Sequence, residues 1–244
     1  MVQADRKPYI LNPEKVAYWY LRLNGFLQIE DFYVHPGGKG GARTDADLLA
    51  VRFPYRAERL YDDPNDIMED DDKRLALTTS YIDVVIAEVK TGLCVLNGPW
   101  TDPYKNNVHR VLAAIGCLPM AQIEDAAEAI YDSGAYIYEP SLENKEKQFS
   151  VRIRLLSIGQ HINTEQSKEY PDVLQIVWRD ILGFIFDRFQ KYRHQKRQTD
   201  HWDCVGKRLK NEATCPRVNR EAVIDEQLLA IRRYAEKWDG KRKP

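Results

Sequence analysis

Long apolar runs are missing from this chain. No stretch approaches the roughly 18 consecutive apolar residues that a membrane-spanning helix needs, and the opening MVQADRKPYI lacks the apolar core of a secretory signal. The expectation is a soluble, cytoplasmic protein. Cysteine is scarce: Cys94, Cys117, Cys204 and Cys215 are the four in 244 residues. Their spacing fits no disulfide framework, so reduced thiols are the default, and Cys94 and Cys117 read as core. No internal repeat is visible. Net charge is nearly absent as well, at -1, which taken alone argues against a nucleic-acid partner because phosphate contacts normally come from a basic surface.

The distribution of charge alters that view. Seven acids and no base lie between Asp62 and Asp72 (Asp62, Asp63, Asp66, Glu69, Asp70, Asp71, Asp72). Between Arg188 and Arg220, ten Lys and Arg stand against three acids (Asp200, Asp203, Glu212), a local balance of +7. The asymmetry points to a basic surface hidden in the average. With 43% hydrophobic residues the chain can bury one substantial core plus a smaller appendage.

The first helix is clearly marked: Asn12 as N-cap, Pro13 at the first helical position, then Val16, Trp19, Tyr20 and Leu23 at helical spacing, with Leu11 and Val16 as a staple and Asn24-Gly25 as the stop. Strands are expected over 26–34 and 45–53, joined as a hairpin by the glycine-rich HPGGKGGART. Residues 54–79 read as an acidic insertion, partly helical or disordered. A strand from Ile82 to Lys90 is apolar on both faces, as a central strand should be. Helices follow over 106–115 and 123–131, strands over 135–139 and 149–158, a long helix over 171–194 and a last one over 220–238.

In Ile86-Ala87-Glu88-Val89-Lys90, Glu88 and Lys90 are two positions apart on a strand and share a face. Upstream, Asp45 and Asp47 open another apolar strand on a common face. If the two strands are neighbours, Asp47 and Glu88 converge on one divalent cation, with the Val89 carbonyl as a third oxygen. Asp45 is the rival to Asp47. Hard oxygens of this kind suit Mg²⁺ or Mn²⁺, and Lys90 beside the ion orients water or stabilises developing charge. The chemistry is phosphodiester hydrolysis.

This order of elements, a helix, two strands with an acid opening the second, a third strand ending in Glu-x-Lys, then a helix and a strand, resembles the PD-(D/E)xK superfamily, the restriction-endonuclease-like fold, over roughly residues 12–158. The resemblance implies an α/β fold with a central mixed β-sheet flanked by helices: a core over 1–170 and a helical, partly basic extension over 171–244. It implies a Mg²⁺- or Mn²⁺-dependent nuclease acting on DNA and leaving 5'-phosphate ends, with Asp47 and Glu88 as metal carboxylates, Lys90 as catalytic lysine and Glu14 on the first helix as an additional metal-site acid. No proline precedes Asp45 or Asp47 here, and the acidic insertion lengthens the Asp47–Glu88 separation. By analogy, the role is an effector of anti-phage defence or restriction beside a helicase or sensor protein, and cutting both strands is simplest for a homodimer. The alternative is an inactive nucleic-acid-binding or scaffolding subunit that keeps the fold.

Candidate phosphate contacts are Lys39 and Arg43 in the glycine-rich loop, which lacks P-loop spacing, Lys105 and Arg110 with Asn107 and His109 near the helix after Lys90, and Lys191, Arg193, Lys196 and Arg197 in the extension. Tyr192 and Trp202 are candidate base-stacking rings, whereas Phe189 reads as core. His194, His201, Cys204 and Cys215 follow no familiar zinc spacing and read as incidental.

Overall fold

The computed structural model describes residues 8–35, 44–54, 71–141 and 149–239. The chain divides into two compact units, Leu21–Val177 and a second built from Met1–Tyr20 with Trp178–Pro244. The architecture is α/β, with six strands and eight α-helices among the described residues. No helix among them is long and apolar enough to cross a membrane.

The first unit is built on a mixed sheet. β1 (Leu27–Val34) and β2 (Thr44–Arg52) form the expected antiparallel hairpin, and β3 (Tyr81–Val89) lies antiparallel to β2. β5 (Ser150–Gly159) runs parallel to β3, a pairing that needs a long crossover. The crossover carries α2 (Gly98–Thr101), α3 (Asn107–Ile115), α4 (Ile123–Ser133) and β4 (Ala135–Tyr138). β5 is long enough to serve two partners along one edge. Val151–Arg154 pair with antiparallel β4, and Leu156–Gly159 with parallel β6 (Leu174–Val177).

β3 is buried along most of its length, as its two-faced apolar pattern requires. On one face Val84 and Ile86, with Leu49 of β2 and Val151, Ile153 and Leu155 of β5, share a core with Val108, Val111 and Leu112 of α3 and Ile123, Ala126, Ala127 and Ile130 of α4. Each large aliphatic side chain buried there contributes about 1.5–3 kcal/mol. α4 ends at Gly134, whose φ of +97° and whose Cβ position 2.2 Å from the Val173 side chain leave no place for another residue.

One expectation is corrected. A single helix over 171–194 does not form: α5 (Thr164–Glu169) and strand β6 come first, and helix α6 begins at Trp178 and ends at Lys191. The free edge of β5 decides the matter, because Leu174, Ile176 and Val177 gain a ladder there, and Ile176 pairs with Ile158. The acidic insertion, read as partly helical or disordered, has a helical turn in its described end. Asp72 caps a 3₁₀ turn at Lys73–Leu75 and its N–H donates to Asn24 (2.7 Å), while Asp71 pairs with Arg52 (2.6 Å) and Leu75 is fully buried. Asp62, Asp63, Asp66, Glu69 and Asp70 lie outside the described residues.

The second unit is helical. α1 (Pro13–Leu23) starts as read: Asn12 Oδ1 accepts from the Glu14 N–H at 2.8 Å. Trp19 is its packing centre, with ring centroids 6.2 Å from Phe189 of α6 and 4.5 Å from Trp202. Its indole N–H donates to Asp203, the N-cap of α7 (Cys204–Ala213). A Cβ on Gly206 would fall 2.0 Å from the Trp19 ring, so glycine is what lets α7 approach. α8 (Arg220–Asp239) is tied in through Gln227, which shares the Glu212 carboxylate with Tyr9.

Candidate active site at the end of the central strand

The β2–β3 ladder pairs Leu48 with Ala87. One step further along both strands, Asp47 stands across from Glu88, and directly opposed residues of an antiparallel pair project from one face. Glu88 in turn pairs with Ser157 of β5, and Ser157 with Gln175 of β6. On the far side, Glu30 pairs with Leu48 and Phe32 with Ala46, which leaves Asp31 across from Asp47. Asp31 has a φ of +50°, a region that Asp enters more readily than most residues. A polar row therefore crosses the sheet at the carboxyl ends of the parallel strands β3, β5 and β6. Open α/β sheets characteristically bind ligands outside such ends.

Glu88 is only 1% exposed, and its carboxylate is surrounded by donors. The Lys90 ammonium and the Asn97 side-chain amide both donate to Oε1, and the Trp100 indole N–H donates to Oε2 at 2.9 Å. Burial, then the Asp47 carboxylate, pushes the Glu88 carboxyl up to about 7, against the pull of Lys90 and Trp100. Asp47 is also raised, first by burial and then by Asp45 and Asp31. The Val89 backbone N–H, which donates to Asp47 Oδ2 at 2.6 Å, and Lys90 act the other way. A buried acid, Glu88, and a half-buried one, Asp47, thus both feel the Lys90 ammonium, which pairs with Glu88.

The segment after β3 positions the donors. Lys90 is fixed by its N–H to the Ile158 carbonyl (2.8 Å), and Cys94 by its N–H to the His161 carbonyl (2.8 Å). The buried Gln166 of α5 accepts the Leu96 N–H at 2.7 Å, which sets Asn97 and the start of α2 over Glu88. Trp100 is itself buried, at 1% exposure.

No family model, no curated protein and no solved structure matches this chain. The geometry of the site carries the argument alone.

Among the described residues no group of three or more His, Cys, Asp or Glu side chains is placed to hold a metal. The oxygens that Asp47, Glu88 and the Val89 carbonyl offer are hard donors, and a set of one or two carboxylates is what Mg²⁺ uses when it retains several waters. Burial that raises both acids is a cost that a divalent charge relieves. The donor set fits such an ion.

The other expected residues are dispersed. Asp45 shares the face of Asp47 by alternation but pairs with Tyr33, so Asp47 is the acid across from Glu88. Glu14 lies in the helical unit, near Tyr234. Lys39 and Arg43 lie outside the described residues. Lys105 pairs with Asp102 at 3.4 Å, and Arg110 donates to the His35 carbonyl at 3.0 Å. Asn107, read beside the candidate phosphate contacts, is instead buried, and its side-chain amide donates to the Pro99 carbonyl at 2.9 Å. His109 faces Glu124 at 3.3 Å. Lys191, Arg193, Lys196 and Arg197 belong to the helical unit, where Tyr192 is buried and Trp202 packs on Trp19 and Phe189 rather than standing free to stack on bases.

Sequence reasoning missed Asn97, Trp100, Gln166 and Ser157. Asn97-Gly98-Pro99 reads locally as a turn, and nothing in the local pattern says that the turn closes on a carboxylate.

Proposed function

We propose that this chain is a metal-dependent nuclease that hydrolyses DNA phosphodiester bonds, with Asp47, Glu88 and Lys90 as its working groups. The observation that supports it most is the half-buried Asp47 opposed to the buried Glu88, with Lys90 on Glu88, at the carboxyl end of the central strand. Asp47, Glu88 and the Val89 carbonyl would hold Mg²⁺ or Mn²⁺. Such a cation supplies neutralisation of phosphate charge and a bound water of lowered pKa. Lys90, a third exposed and paired with Glu88, would supply an ammonium able to stabilise charge developing on a phosphate held at the site. Trp100 and Asn97 hold the Glu88 carboxylate in place, as partners of a metal ligand do.

Lys105 and Arg110 in the first unit, and Lys191, Arg193, Lys196 and Arg197 in the second, are the proposed phosphate contacts, so binding should weaken steeply with salt. A cytoplasmic effector of phage defence or restriction, working as a homodimer or beside a helicase or sensor protein, is the role we assign by analogy. The restriction-endonuclease-like fold belongs to the same proposal.

One observation favours a second reading, an inactive nucleic-acid-binding or scaffolding subunit. Glu88 already accepts three donors from the protein, so its carboxylate has partners without any cation. Cleavage of supercoiled and linear DNA in Mg²⁺, Mn²⁺ or EDTA separates the two. Metal-dependent cutting by the wild type that is lost in Glu88→Ala supports the nuclease. Salt-sensitive DNA binding with no cutting in any metal supports the binding subunit.

A further inference from the structure

Ser157 is fully buried, and its hydroxyl has no hydrogen-bond partner among the described residues. Such a group is unfavourable in a sheet whose neighbouring positions, Leu155, Leu156 and Ile158, are apolar and buried. Its placement is what gives it meaning. The β3–β5 register sets it beside Glu88 on the same face, in line with Asp47 and at the carboxyl ends of two parallel strands.

Two residues further on, Gly159 shows what lies over this end of β5. A Cβ there would sit 2.7 Å from the Gly92 carbonyl and 2.7 Å from the Cys94 nitrogen, so the segment leaving β3 crosses backbone against backbone. That same segment carries Asn97 to Glu88. Ser157 therefore occupies a position next to the acid pair and close to the strap that orients it. A hydroxyl both donates and accepts, which suits a water molecule better than it suits an ion. Mg²⁺ and Mn²⁺ held by two carboxylates keep several waters, so an oxygen one step beyond the ligands meets the ion's hydration shell.

We infer that Ser157 is a positioning residue for the cation of Asp47 and Glu88, its hydroxyl hydrogen-bonding a water that the cation carries. The inference rests on the metal-dependent reading of the site. Loss of the hydroxyl should weaken the ion's hold without harming the fold, the opposite of what a structural hydrogen bond does.

The test is Mn²⁺ binding, followed by the electron paramagnetic resonance of free Mn²⁺, in the wild type and in Ser157→Ala, with thermal melting of both in EDTA and cleavage of plasmid DNA alongside. Ser157→Ala should bind Mn²⁺ about tenfold more weakly and melt in EDTA at the same temperature or higher. Equal Mn²⁺ affinity overturns the inference and leaves the nuclease reading intact where the wild type cuts. A lower melting temperature in EDTA overturns it too, because the hydroxyl then serves the fold. A wild type that neither binds Mn²⁺ nor cuts overturns both.

Discussion

The two ends of β3 each carry a buried acid, and the surroundings of the two acids differ in sign. Asp83, near the start of the strand, is fully buried against two guanidinium groups, Arg152 at 2.7 Å and Arg154 at 3.0 Å. Those arginines also reach the Ala76 and Leu75 carbonyls, so they stitch the end of the acidic segment to the sheet. Glu88, near the other end, shares a single ammonium with a second carboxylate. One end has positive charge in excess and holds the fold together. At the other, negative charge is in excess, and burial of that kind is a liability unless a cation or a reaction uses it.

The largest effect should come from the structural end. Asp83→Ala leaves two largely buried arginines without their shared carboxylate and should cost about 3–5 kcal/mol, read as a fall in the urea midpoint. Comparable loss from Glu88→Ala would erase the contrast. Next, Lys90→Ala should lower metal-dependent cleavage by about 10²–10³-fold with little change in that midpoint, since a preorganised charge-stabilising group has that weight.

A third effect is one of pH. The Glu88 carboxyl lies at about 7 in the folded chain against 4.5 for the unperturbed group, so between those values the folded state binds more protons than the unfolded. Stability should therefore fall as pH rises from about 4.5 to 7, by up to roughly 3 kcal/mol. The raised Asp47 carboxyl adds to the same trend. Urea unfolding in EDTA across this range should show the slope in the wild type and a shallower one in Glu88→Gln. The smallest effect is Gly159→Ala, where a methyl group must displace the Gly92 and Cys94 backbone, at a cost of about 1–3 kcal/mol. Part of that loss should appear as weaker cleavage, because the same segment bears Asn97.

The parts of this architecture that local pattern encodes were legible. Asn12-Pro13 sets the start of α1, alternation puts Glu88 and Lys90 on one face, and the apolar run of β3 makes it central. The hairpin and the helices α3, α4 and α8 lie within a residue or two of their expected ends. What failed was decided at long range. Val173, Leu174, Val177 and Ile181 satisfy a helical period as well as they satisfy β6 followed by α6, and only the open edge of β5 chooses between them. The charge density of Lys207, Arg208 and Lys210 hid α7, whose Asp203 cap was there to be read. Of the candidate site, Glu88 and Lys90 were visible because they are charged and two apart. Their supports were not, because Asn97, Trp100 and Ser157 reach Glu88 only through folding of the crossover and register across strands.

On the proposed function, charge at the carboxyl end of β3 is left incomplete for a divalent cation. Calorimetric titration of Mn²⁺ into metal-free protein at about pH 6.5, run in two buffers of different ionisation heat, tests it most directly. Binding should displace a proton from the raised Glu88 carboxyl and make the heat buffer-dependent, and Glu88→Gln should lose both the affinity and that dependence. No Mn²⁺ binding at millimolar concentration, or equal binding by Glu88→Gln, would rule out a cation held by Glu88.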